Sequence, residues 1–116
     1  MALPALLDPA PDADLGKMFR SAKQASGLLK TLSHENRLLI LCILSENEKS
    51  VSELEEILEL RQPTISQQLA RLRLDGLVDT RRDGKTVYYR IASPEAQRVI
   101  SVLYDIYCRG EQRTPA

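Results

Sequence analysis

The stretch PTISQQLARLRLDGLVDTRRDGKTVYYRI, Pro63–Ile91, changes its apolar period halfway along. Up to Leu74 the apolar residues Ile65, Leu69, Leu72 and Leu74 recur at close to helical spacing, so they are expected on the core side of a helix. Proline is tolerated in a first helical turn, and glycine suits the left-handed residue that ends a helix, so Pro63 and Gly76 bracket the element. Beyond Gly76 the period falls to two. LVDTRR and KTVYYRI read as two short strands, joined at Asp83-Gly84, a residue pair that favours a hairpin turn.

Toward the N-terminus the helical period continues. Leu15, Met18, Phe19, Ala22, Ala25, Leu28, Leu29 and Leu32 form the stripe of a first amphipathic helix. Ser33 is a capping residue type for a second helix. Leu38, Leu39, Leu41, Cys42, Ile43 and Leu44 cover so much of that helix that it is expected at the centre of the core. SELE, Ser52–Glu55, has the Ser-x-x-Glu form of a capping box and starts a short third helix. Toward the C-terminus, Pro94 opens a last helix with Ala96, Val99, Ile100, Leu103, Ile106 and Tyr107 on one stripe and Cys108 beside its end. The expected fold is mainly α with a small β-hairpin, in the order ααααββα. Residues 15–108 form the domain, with a disordered tail over 1–14 and a flexible one over 109–116.

Composition limits the function classes. A chain of 116 residues with 43% hydrophobic and 28% charged residues fits one globular domain. No apolar run approaches the ~18 residues of a membrane span. The start, MALPALLDPAPDAD, lacks a basic leader, so a cytoplasmic location is expected and no membrane partner. The zero net charge hides an asymmetry. Glu46–Leu60 carries six acids against Lys49 alone, whereas Arg61–Arg90 carries seven cations against Asp75, Asp79 and Asp83. Such a basic stretch attracts polyanions although the chain is neutral as a whole.

Two short helices linked by a few residues and followed by a basic hairpin describe a winged helix-turn-helix. The fourth helix is then the reading helix. With its apolar face turned inward, Thr64, Ser66, Gln67, Gln68 and Arg71 are expected toward solvent near its start. Glutamine pairs with adenine, arginine with guanine, and hydroxyls with base edges or phosphate. Arg81, Arg82 and Lys85 on the wing would hold phosphate or an adjacent minor groove. Each feature alone also fits an ordinary solvated surface; their order along the chain favours double-stranded DNA.

LLKTLSHENRLLILCIL, VSELEEILELRQPTISQQLARLRLDGLV and RRDGKTVYYRI together resemble the ArsR/SmtB family of bacterial winged-helix repressors, over about residues 22–108. The resemblance implies a homodimer joined mainly through the first and last helices, a dyad-symmetric operator, and release by an inducer. Metal sensors in that family carry Cys-x-Cys in the third helix, or His, Asp and Glu ligands on the last helix. Here the third helix offers ELEEILE, and the last offers Glu95 and Asp105 without a histidine. The lone histidine, His34, reads as a helix-start residue, so no metal or other cofactor is expected, and a metal- or metalloid-responsive repressor is the weaker alternative.

The remaining chemistry is the pair Cys42 and Cys108. A cytoplasmic thiol pair 66 positions apart is not expected to be a permanent staple. Each cysteine alone also reads as a small buried hydrophobe. Their placement in the second and last helices resembles the sulfide-responsive BigR/SqrR subgroup. That resemblance implies redox sensing, with reactive sulfur species or another thiol oxidant as inducer. Arg109, next in sequence, is expected to favour Cys108 as the attacking thiolate. A two-cysteine thiol peroxidase is the alternative from enzyme chemistry. It needs an activated thiolate on a βαβ scaffold, and the helical pattern argues against one; no enzymatic activity is expected.

Overall fold

The computed structural model describes residues 12–109. Its elements run α1 (Asp12–Leu32), α2 (Glu35–Leu44), β1 (Lys49–Ser50), α3 (Val51–Leu58), α4 (Gln62–Leu74), β2 (Val78–Asp83), β3 (Thr86–Ile91) and α5 (Pro94–Tyr104), closing with a π-helical turn over Asp105–Arg109. The tails expected over 1–14 and 109–116 lie largely outside the described residues; α1 itself begins at Asp12. The helix up to Lys30 belongs to one compact unit, and the chain from Thr31 onward forms another. In the first unit Leu15, Met18, Phe19 and Leu29 are exposed.

The second unit contains the winged helix-turn-helix. Its core gathers Ile40, Leu41 and Leu44 from α2, Leu54 from α3, and Ile65, Leu69 and Leu72 from α4, together with Val78, Ala96 and Ile100. Removing side chains of this size from water stabilises a fold by roughly 1.5–3 kcal/mol each, so these positions dominate its energetics. The expected stripe on α4 is therefore right at three of its four positions. Leu74 is 83% exposed, because the helix ends there and the chain turns away. That turn is a Schellman motif: Leu77 N–H donates to Leu72 O (2.9 Å) and Gly76 N–H to Arg73 O (3.0 Å), with Gly76 at φ +75°.

Three other starts and edges differ from the sequence reading. His34, not Ser33, is the N-cap of α2, its Nδ1 accepting from Asn36 N–H at 3.2 Å. The capping box of α3 is Ser50 with Glu53, two residues ahead of Ser52–Glu55: Glu53 N–H donates to Ser50 Oγ and Ser50 N–H to Glu53 Oε1. Ser50 is extended there because it is also the last residue of β1, which pairs antiparallel with β3. The wing is thus an edge of a three-stranded sheet, order β1-β3-β2, rather than a hairpin alone. Its tip closes with Asp83 opposite Thr86 and Gly84 at φ +64°.

Candidate nucleic-acid interface and thiol pair

The structure sorts the expected reading residues into three groups. On α4, Gln67 and Arg71 are exposed, while Thr64 and Ser66 are half-buried. Ser66 Oγ accepts from Gln62 Nε2 at 2.7 Å, which orders the first turn of the helix. Arg71 pairs with Asp75 one turn later, Nε to Oδ2 at 2.9 Å. Gln68 does not face solvent as expected. It is 9% exposed, and its Oε1 accepts from Arg37 Nη1 at 3.1 Å. A side chain turned inward and already bonded has no base edge to reach.

Arg37 is the residue that sequence reasoning missed. Its Nε donates to Thr31 O (2.8 Å) while its Nη1 holds Gln68. Thr31, 3% exposed, donates its hydroxyl to Asp75 Oδ2 at 2.7 Å. The hydrogen bond from Thr31, followed by that from Arg71, holds the Asp75 carboxyl below the usual carboxylate range. The available signal was a charged residue immediately ahead of the apolar run Leu38–Leu41.

On the wing, Arg82 and Lys85 are exposed at the tip, whereas Arg81 is half-buried and paired. It forks onto Glu48, Nε lying 3.0 and 3.1 Å from the two carboxylate oxygens while Nη2 bonds Oε1. The hydrogen bond from Arg81 pulls the Glu48 carboxyl down from its ordinary value. Arg90 likewise pairs with Asp79 across the strands, at 2.7 Å.

The two cysteines occupy unlike settings. Cys108 lies exposed in the π-helical turn, and Cys42 is half-buried in the last turn of α2. Burial raises the Cys42 thiol above its ordinary value, and the charge of Cys108 raises it further. The side chain of Arg109 lies outside those described. Among the described residues, no three His, Cys, Asp or Glu side chains gather as a metal site, and no helix is long and apolar enough to cross a membrane.

A reading helix, a basic wing tip and a buried core beneath them define a winged helix-turn-helix regulator. Residues 34–80 match the family described as bacterial regulatory protein, arsR family. The chain is 49% identical to the biofilm growth-associated repressor of Agrobacterium fabrum over 98 residues, 84% of each chain. The transcriptional activator HlyU of Vibrio cholerae is 46% identical over 99 residues, 85% of this chain and 92% of that one. The solved structure of reduced HlyU from Vibrio cholerae superposes with a TM-score of 0.77, covering 79% of this chain and 97% of that one at 47% identity. The crystal structure of the repressor BigR from Xylella fastidiosa superposes with a TM-score of 0.75 at 44% identity, covering 87% and 98%. The protein belongs to the ArsR family. It is a DNA-binding transcriptional regulator, not an enzyme.

Proposed function

We propose that this protein is a cytoplasmic, homodimeric transcriptional repressor that holds a dyad-symmetric operator while Cys42 and Cys108 are thiols and releases it once they are joined. Thr64, Ser66, Gln67 and Arg71 contact base edges, and Arg82 and Lys85 hold phosphate. The direction of control, repression, follows its likeness to the Agrobacterium and Xylella repressors. Exposed apolar side chains support a second copy as partner: Phe19 and Leu29 on α1, and Val102, Ile106 and Tyr107 at the end of the last helix. Half-sites about one helical turn apart, ~10 base pairs, suit such a dimer.

The redox half rests on the contrast between the two free thiols, Cys108 exposed at the end of the last helix and Cys42 half-buried in α2. Likeness to a relative solved in a state named as reduced supports it too. The chemistry balances with an alkyl persulfide as oxidant. The Cys108 thiolate takes its outer sulfur, releasing the alkyl thiol and leaving a persulfide on Cys108. Cys42 then attacks the inner sulfur of that group, forming the Cys42–Cys108 disulfide and releasing hydrogen sulfide. A further alkyl persulfide inserts its outer sulfur into that bond, releasing the alkyl thiol, and gives a polysulfide link. Either tie joins the end of the last helix to α2, and a coupling of about 1–3 kcal/mol suffices for a roughly 5- to 150-fold loss of operator affinity.

The test treats the parent, Cys42→Ser and Cys108→Ser with an alkyl persulfide and follows intramolecular linkage by mass and operator affinity in parallel. Linkage and release in the parent alone are expected; release that persists in both single variants defeats the assignment. Zinc, cadmium or arsenite, added stoichiometrically without oxidation, should leave the complex intact.

A further inference from the structure

The reading helix is attached to the rest of its unit by two kinds of contact. Ile65, Leu69 and Leu72 bury apolar surface, which resists separation but is non-directional and tolerates sliding and rotation. Hydrogen bonds are directional, and among the described residues they join α4 and its C-cap to the segment where α1 passes into α2. Arg37 Nη1 reaches Gln68 in the middle of α4 (3.1 Å), and Thr31 Oγ1 reaches Asp75 at its C-cap (2.7 Å). Seven residues of helix separate these points, about 10 Å along the axis. One tie would leave a pivot. Two ties at that separation fix tilt and rotation together. They are themselves joined, because Arg37 Nε holds the carbonyl of Thr31 (2.8 Å).

We propose that Arg37 is a positioning residue for DNA reading: through Gln68, and through the Thr31 carbonyl behind the second tie, it sets the angle at which Thr64, Gln67 and Arg71 meet base edges. The inference rests on α4 being the reading helix. It gives Gln68 a purpose that its burial allows, that of an internal acceptor rather than a base contact. Each bidentate base contact discriminates by roughly 10- to 100-fold and is lost with small misalignment, whereas phosphate contacts tolerate it.

The variants are Arg37→Met, Gln68→Leu, the two combined, and Gln68→Glu. Each single apolar change leaves one partner without the other, Gln68 buried or Arg37 half-buried, and destabilises. Removing both partners with apolar side chains of similar length costs less than removing one, but Arg37→Met also leaves the Thr31 carbonyl without its donor, so the double variant is expected to melt about 4–8 °C below the parent. Its affinity is measured for the duplex that the parent selects from a randomised library and for a scrambled duplex at the same salt. The expected result is at least about a tenfold loss on the selected duplex and under about twofold on the scrambled one. Gln68→Glu keeps an acceptor for Arg37 and is expected to retain selection. Were Gln68 a base reader instead, a carboxylate there would abolish its contact with adenine, while Arg37→Met would be silent. A double variant with the parent's preference, or a Gln68→Glu that loses preference as fully as Gln68→Leu, overturns the role of Arg37. Should the double variant unfold, Gln68→Glu alone decides. A parent that selects no sequence overturns the DNA-reading function beneath the inference, a distinct result.

Discussion

Arg81 lies over the ring of Tyr88, its guanidinium carbon 4.9 Å from the centroid. In that position, with both Glu48 oxygens within reach of Nε, the cation is paired although its side chain stays partly exposed. A basic residue of the wing is thereby turned into a brace between β2 and the loop before β1.

The brace has a salt signature. Each phosphate contact contributes about 0.9 to the slope of log affinity against log salt. Arg82→Ala and Lys85→Ala are expected to flatten the slope by about one each, and Arg81→Ala by distinctly less. Glu48→Gln, which frees Arg81, should steepen it. Affinities across a salt titration measure all four, and equal flattening at Arg81 would mean that its ion pair opens on DNA.

Alkylation should separate the thiols. Cys42 is half-buried and its pKa is raised, so less of it is thiolate at neutral pH than of an ordinary cysteine. Only the thiolate reacts. Exposed Cys108 is expected to be modified by iodoacetamide first, as read by peptide mass. In Cys108→Ser the charge that helps to raise Cys42 is gone, so at alkaline pH, where thiols ionise, Cys42 should react faster than in the parent.

Acid stability follows from Asp75 and Glu48, both held below their ordinary values by hydrogen bonds from Thr31 and Arg71 and from Arg81 respectively. A carboxyl lowered in the folded state stabilises it above the unfolded pKa, and that contribution is lost as pH falls through the folded one. Unfolding in urea should therefore become easier as pH drops below about 4. Asp75→Asn should lower stability at neutral pH while reducing the loss on acidification; an unchanged acid profile would remove Asp75 from the account.

Truncations on α4 should separate its buried face from its end. Leu69→Ala, at a fully buried position, is expected to cost about 2–5 kcal/mol. Leu74→Ala, at a position 83% exposed, should lie within about 0.5 kcal/mol of the parent in the same chemical melt.

What was legible in the sequence is what neighbouring residues decide. Ile65, Leu69 and Leu72 declare a buried face, Gly76 its end and Gly84 the wing tip, because helical period and positive φ are local requirements. Elements settled by distant partners were read less well. Gln68 borders the apolar stripe, and what turned it inward was Arg37, far away in the chain. SVSE and SELE are both Ser-x-x-Glu frames. Pairing of Ser50 with Tyr88 selected the first, and a two-residue strand shows no alternation by which to anticipate it. Arg81 carried the charge of a phosphate ligand, yet its partner Glu48 lies in the acidic stretch upstream. The thiol pair was legible by placement, Cys42 in the core helix and Cys108 at the end of the last, and the folded chain leaves the first half-buried and the second exposed.

Ser50 has a double duty whose effect reaches the DNA. One residue is both the last rung of β1 against Tyr88 and the cap that starts α3, so the sheet beneath the wing and the helix-turn-helix share a joint with no slack. If both parts meet DNA as proposed, they act like the fixed jaws of a calliper. A duplex that does not match their span must itself bend or change its groove width to be held. The cost of such bending depends on base steps, with TA and CA/TG steps yielding most easily. Preference should therefore extend to base pairs that no side chain touches, set by how readily the DNA gives way.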